Sequence, residues 1–388
     1  MTAARREGLA WVVALALVAT ILAVRDYRTH DADSLLYSRI SNILARQPLS
    51  QWIAPAWPPR SYGSGLFREH PAGLFWPAAL VARLGYPGLQ AAYAVNAGYQ
   101  AIGLLLLGRL TAVFASDAEA AAVPILAQLL PVAFVFRVRA NHEPAMLVFL
   151  LLALAGVEKA RTRPAWGALT VLGLVGMLLV KGVAALFGPL VCAAWLLVRR
   201  RERAVAGGWL ALGLGLGAMA LVTLAYEATY RSVTGVSFLS EYALRQITSG
   251  APGPLSEVVG SFGANLAWYG GRWVWFAFPW SLVGLAATLL ALRHGSAGRE
   301  AQGLAMAFLV SALYIGAFSL GARQADRYIF PAYYAAGAAG VAAAARRSPV
   351  VSRLSELPCL APALFGILFV LHVLAGSLGL ARWSAAGF

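Results

Sequence analysis

The sequence predicts an all-α protein that crosses a membrane many times. Three observations predict it. Of the 388 residues, 60% are hydrophobic and only 12% are charged. Apolar runs of about 16–22 residues recur from end to end, each near the length that spans a bilayer as a helix. The Lys and Arg residues gather in short stretches between those runs, as the positive-inside rule requires of a membrane chain. The formal charge of +15 therefore reads as topology, and no nucleic-acid partner is expected.

Taken in order, the opening MTAARREGLAWVVALALVATILAVRDY joins basic residues to an apolar run. No A-x-A cleavage site precedes the polar DYRTHDAD, so it reads as an uncleaved first helix. About eleven transmembrane helices are expected, near 9–24, 89–109, 120–136, 144–158, 165–180, 183–198, 206–226, 272–292, 301–320, 329–345 and 358–380. Cys192 and Cys359 fall inside these runs and read as packing residues. With the N-terminus inside, the Arg-rich loops 159–163, 199–203, 293–299 and 346–353 are cytoplasmic. Segments 25–88, 137–144, Lys181-Gly182, 227–271 and 321–328 then share the outer face, and with them go Asp26, Asp31, Asp33, Glu69, Glu143, Glu227, Glu241, Glu257 and Asp326. Any chemistry is expected there. No repeat is visible and neither outer loop is long enough to fold alone. Residues 1–388 are expected to form a single transmembrane domain without a soluble C-terminal domain.

The first outer loop is long, and long structured loops tend to be functional. Leu36, Ile40, Ile43 and Leu44 repeat at helical spacing, with Ser38, Arg39, Ser41, Asn42 and Arg46 opposite, which predicts a helix lying in the interface plane. PAGLFWPAALVARL (71–84) is too short to span and predicts a second juxtamembrane helix. Asp31 and Asp33 both precede the first of these helices, where an acid can simply cap the N-terminus. That reading leads for Asp31. The Trp-dense GANLAWYGGRWVWFAFPW (263–280) reads as an interfacial belt, with lining for a prenyl chain as the alternative.

Asp33-x-x-x-Tyr37-x-x-Ile40, then QWIAP (51–55) and Glu69-His70-Pro71, resembles the first outer loop of the GT-C glycosyltransferases. The likeness is to the branch containing the protein O-mannosyltransferases and the lipid A aminoarabinose transferases. There an acid pair opens the loop and E-K-P closes it; here Ser34 replaces the second acid and His70 the lysine. NHEPAMLVFLLLAL (141–154), Lys181-Gly182 and Arg327-Tyr328 with Pro331 follow in the family's order, with Glu143 standing for an Asp.

The resemblance implies a GT-C-like fold with two juxtamembrane helices in the first outer loop. It also implies transfer of a sugar from a polyprenyl-phosphate-linked donor to a lipid, glycan or protein acceptor, with inversion. Such a displacement needs a carboxylate to take the acceptor's proton and cations to hold the departing phosphate. By resemblance Asp33 is the base and Glu143 the second carboxylate; Lys181, Arg327, His70 and Arg139 would hold the phosphate, and Tyr37, Glu69 and Tyr328 the substrate. Lys181 ends an apolar run with no local acid, so snorkelling to the interface explains it equally well. Arg137 and Arg139 alternate on a short turn and can equally meet lipid headgroups. Glu69-His70 and His142-Glu143 make Glu69, His70 and His142 candidate ligands for a divalent metal ion, although the spacing matches no metal motif. The Ala-, Gly- and Arg-rich usage suggests a bacterial plasma membrane, with the active site facing the periplasm. The rival reading is a lipid-linked sugar flippase or other transporter. Carriers, however, keep ionisable groups near mid-membrane and show paired halves, whereas these acids sit at helix ends.

Overall fold

The computed structural model describes residues 31–59, 61, 63–137, 139–199, 205–250, 255–295, 298–321, 323–349 and 351. The expected helices 9–24 and 358–380, with Asp26 and Cys359, lie outside them, as do the side chains of Arg137 and Glu257. The described structure is all-helical apart from one bridge, where Ala56 meets Leu66 and folds the aromatic loop back on itself.

The first outer loop supplies α1 (Ala32–Ala45) and α2 (Phe75–Arg83). Leu36, Ile40 and Leu44 are buried, as the spacing predicts. The opposite face differs from expectation: Ser38 and Ser41 are buried too, leaving Arg39 and Arg46 exposed, and Ser34 one turn earlier is buried as well. Serine is small enough to pack at a helix contact and carries its own hydrogen bond there, as Ser38 does to the Leu89 carbonyl. An amphipathic pattern does not distinguish that from a wet face.

The bundle continues through α3 (Gly88–Thr111), α4 (Asp117–Leu126), α5 (Pro131–Arg137), α6 (Glu143–Ala160), α7 (Gly167–Lys181), α8 (Phe187–Val198) and α9 (Val205–Thr234). It closes with α10 (Phe238–Gly250), α11 (Leu255–Phe276), α12 (Trp280–Arg293), α13 (Arg299–Ser319) and α14 (Phe330–Arg347). The runs Gly88–Thr111, Pro164–Val198, Val205–Thr234 and Arg299–Ser319 are long and apolar enough to cross a membrane. The pair 260–276 and Trp280–Arg293, bent by 107°, would be a fifth crossing if counted as one. The count of eleven is therefore not reached among the described residues. The expected span 120–136 is interrupted after Leu126, and Pro131 opens the next helix. The expected span 272–292 is split at Ala277–Pro279. Glu143, Glu158 and Lys159 make α6 more polar than a simple span.

Segment 227–271, expected as an outer loop, is helical over most of its length: α9 runs on to Thr234, and α10 and α11 follow. Tyr226, Tyr230, Phe238 and Tyr242 are buried in one aromatic cluster, so these rings replace lipid as the apolar partner of that stretch.

Glycine permits very close helix approach. A Cβ on Gly156 would lie 2.3 Å from the Thr170 nitrogen, and one on Gly173 would lie 2.5 Å from the Ala153 nitrogen, so α6 and α7 touch backbone to backbone. A Gly156→Leu substitution is expected to force them apart at a cost of about 3 kcal/mol or more. A lower melting temperature in detergent checks it. After α7 the chain folds back, with Gly188 of α8 against Leu174 and Met177.

The ends of the bundle differ in charge pattern. At one end Glu158 joins Arg161 and Arg199, and Arg346 bridges Glu119 and Glu300. The other end of α6, about 22 Å away at 1.5 Å per residue, begins at Glu143. The polar cavity lies there.

Candidate active site

The main charged groups of the cavity stand at helix ends or in the turns that lead into them. Asp33 stands in the first turn of α1, Glu143 opens α6, and Lys181 closes α7 where Gly182 adopts φ 56°. Arg327 and Tyr328 sit on a 3₁₀ turn, Asp326–Ile329, that leads into α14. Glu69 and His70 precede the turn into α2. Together with Tyr37 and His142 they line one cavity of about 900 Å³. Its other wall is apolar and includes Leu186, Phe187, Leu190 and Phe318.

Asp31 and Asp33 separate cleanly. Asp31 is the N-cap of α1, accepting from the Ser34 amide at 3.0 Å. Asp33 instead pairs with Arg327 across the cavity. The Arg327 Nε also lies 4.0 Å from Glu143 Oε1. Glu143 is 2% exposed, and its Oε1 accepts from Lys181 Nζ at 3.3 Å and lies 2.7 Å from His142 Nε2. Lys181 also contacts that imidazole nitrogen and lies over the Tyr328 ring at 5.4 Å. Two carboxylates and two cations thus form one network in which neighbouring charges offset each other.

Arg323 lines the same cavity and has no ion pair among the described residues. It was not singled out from the sequence, where the resemblance in GARQADRY falls on Arg327-Tyr328 and passes over Arg323. Tyr242 and Phe187 were missed likewise. Arg139 lies outside the cavity lining: its guanidinium is 3.8 Å from Asp31 and over the Phe136 ring. No residue of 263–280 lines the cavity either.

Glu69, His70 and His142 face the same space without forming a ligand set. The Tyr37 hydroxyl lies 2.8 Å from His70 Nε2, and His142 Nε2 is taken by Glu143 and Lys181. Among the described residues no three His, Cys, Asp or Glu side chains are arranged to hold a metal ion. The donors as arranged do not fit one.

Burial keeps both imidazoles neutral: His142 is pushed down to about 4, against the opposing pull of Glu143, and His70 falls well below its ordinary 6.5. Protons therefore bind the unfolded chain more tightly than the folded one. The associated stability is fully present above about pH 6.5 and is lost as the pH falls towards about 4. The melting temperature should fall over that window, and His142→Asn should flatten the fall.

No family model matches the sequence, and no curated protein matches it. Among solved structures the chain is similar to ArnT from Cupriavidus metallidurans in its apo state, with 17% identity, TM-score 0.64, 90% of this chain and 61% of that chain covered. It therefore spans less than two thirds of that relative's length. For the same protein bound to undecaprenyl phosphate the figures are 18%, 0.68, 98% and 73%. For the Archaeoglobus fulgidus oligosaccharyltransferase complexed with Zn and sulfate they are 14%, 0.54, 94% and 52%. Both proteins are GT-C membrane glycosyltransferases. The chain has the GT-C fold that its loop motifs resemble.

Proposed function

We propose that this chain is an integral-membrane glycosyltransferase that moves a sugar from a polyprenyl-phosphate-linked donor to an acceptor on the periplasmic face of a bacterial plasma membrane. Residues 1–388 act in this reading as one membrane domain. The observation that carries it is the composition of a single cavity: Asp33, Glu143, Lys181, Arg327 and Arg323 on one side, and an apolar wall on the other that includes Leu186 and Leu190. Those two leucines are 55% and 52% exposed, so the wall leads out to where lipid would lie. A polyprenyl phosphate needs both halves of that surface.

In the reaction the acceptor hydroxyl attacks the anomeric carbon while Asp33 takes its proton. The bond from that carbon to the phosphate oxygen breaks, and the prenyl phosphate leaves with the electron pair. Attack opposite the leaving group inverts the configuration. Lys181 and Arg323 stabilise the negative charge that grows on the phosphate, and Arg327 orients Asp33 by pairing with it. Glu143 holds Lys181 in place. Tyr37, Glu69, His70 and Tyr328 shape the sugar pocket.

Purified protein in detergent micelles, given a short-chain prenyl-phosphate sugar and no gradient, is expected to release prenyl phosphate and glycosylate an acceptor. Absence of transfer, with movement of the intact lipid-linked sugar across proteoliposomes, would favour the flippase instead.

A further inference from the structure

The turn that delivers His142 and Glu143 is short, and every backbone group in it must find a partner away from water. Two helices supply those partners. From α3, Asn96 donates to the Arg139 carbonyl at 2.5 Å and the Phe136 carbonyl at 3.3 Å, and Gln100 donates to the Phe136 carbonyl as well. From α1 comes Ser34, which is 0% exposed. Its Oγ lies 2.5 Å from Asp31 Oδ2, 2.8 Å from the Asn141 side-chain amide and 3.0 Å from the Ala140 nitrogen.

Donor counting arranges these contacts. A serine hydroxyl has one proton and two acceptor lone pairs. The proton goes to the Asp31 carboxylate, and the Ala140 N–H donates to Ser34 Oγ. The remaining lone pair suits the Asn141 NH₂, and that orientation of the amide gives its otherwise unpartnered nitrogen a bond. Ser34 is adjacent to Asp33, and Asn141 is two residues from Glu143. The four-group lock therefore ties the element bearing one carboxylate to the element bearing the other.

We propose that Ser34 is a positioning residue, setting the separation of Asp33 and Glu143 across the cavity by locking the first turn of α1 to the 139–142 turn. It touches no substrate. In this chain an ionised carboxylate at this position would set a second negative charge against Asp31 and lose the proton that the serine hydroxyl donates to it. On this account the edge of the cavity has a single carboxylate facing inward from α1, and that carboxylate is Asp33. The inference rests on the transferase reading for its kinetic consequence and on geometry alone for the lock.

The test compares Ser34→Ala, Ser34→Thr and Ser34→Asp. Hydrogen exchange should become faster at the Ala140 amide in S34A and S34D and stay slow in S34T. Turnover should fall by about 10- to 100-fold in S34A with KM little changed, as expected for misplaced reacting groups. It should fall further in S34D and recover in S34T. In an Asp33→Asn background S34A should have no additional effect on turnover, which a merely structural role would not produce. Unchanged exchange at Ala140 in S34A overturns the lock. Faster exchange with wild-type turnover overturns the positioning role. If the wild-type protein transfers no sugar, the transferase reading fails instead, and exchange alone decides the lock.

Discussion

Replacing Asp33 with Asn lowers the turnover of sugar transfer by about 10²- to 10⁴-fold, the contribution a positioned general base makes. Asn keeps the size of the side chain and a hydrogen-bond acceptor for Arg327 but cannot take a proton. Asp33 and Arg327 are 20% and 29% exposed at their side chains, so losing their attraction should cost less than about 1 kcal/mol of stability. The expected signature is a nearly unchanged melting temperature with donor affinity largely retained. Equal turnover in D33N and wild type would remove Asp33 from the chemistry.

Glu143→Gln should behave differently, because its carboxylate is 2% exposed and serves His142, Lys181 and Arg327 together. Neutralising it leaves the half-buried Lys181 beside Arg327 with no compensating charge at that point. Breaking a buried pair from one side costs about 3–5 kcal/mol, so the expected result is a drop of many degrees in melting temperature together with loss of activity. A second substitution, Lys181→Met, should restore part of the stability by removing the stranded cation, and none of the activity. Calorimetry of the two single variants and the double variant reads the coupling. Additive losses would mean that the two side chains act independently.

The contrast between these carboxylates was only partly legible in the sequence. Charges at the ends of apolar runs placed Asp33, Glu143, Lys181 and Arg327 on one face, and the structure gathers them around one cavity. Their pairing was not readable, since Asp33 and Arg327 are 294 residues apart. The division between Asp31 and Asp33 was readable in outline, with capping leading for Asp31, and the structure places Asp31 at the cap and Asp33 inside the first turn of the helix. Arg139 shows the same limit: alternating arginines on a turn say nothing about which way each points.

In the fold, the strongly apolar α3, α7 and α9 were legible from hydropathy, and Gly88–Thr111 lies within a residue or two of the expected 89–109. The stretch 227–271 was not, because its apolar residues are spaced among Ser, Thr, Arg and Glu and fall below the density of a lipid-facing helix. The signal that could have found α10 is the pair Phe238 and Tyr242, four residues apart, matching Tyr226 and Tyr230 on α9. Buried Asn96, Gln100 and Ser34 were invisible for a related reason. A polar residue in an apolar helix announces a partner but not its identity.

The most direct measurement is a structure of the protein with undecaprenyl phosphate bound. The phosphate is expected within hydrogen-bond distance of Lys181 or Arg323, its prenyl chain leaving along Leu186 and Leu190, and the Asp33 carboxylate facing the opposite side of the position the sugar would take. A phosphate bound outside this cavity, or on the same side as Asp33, would contradict it.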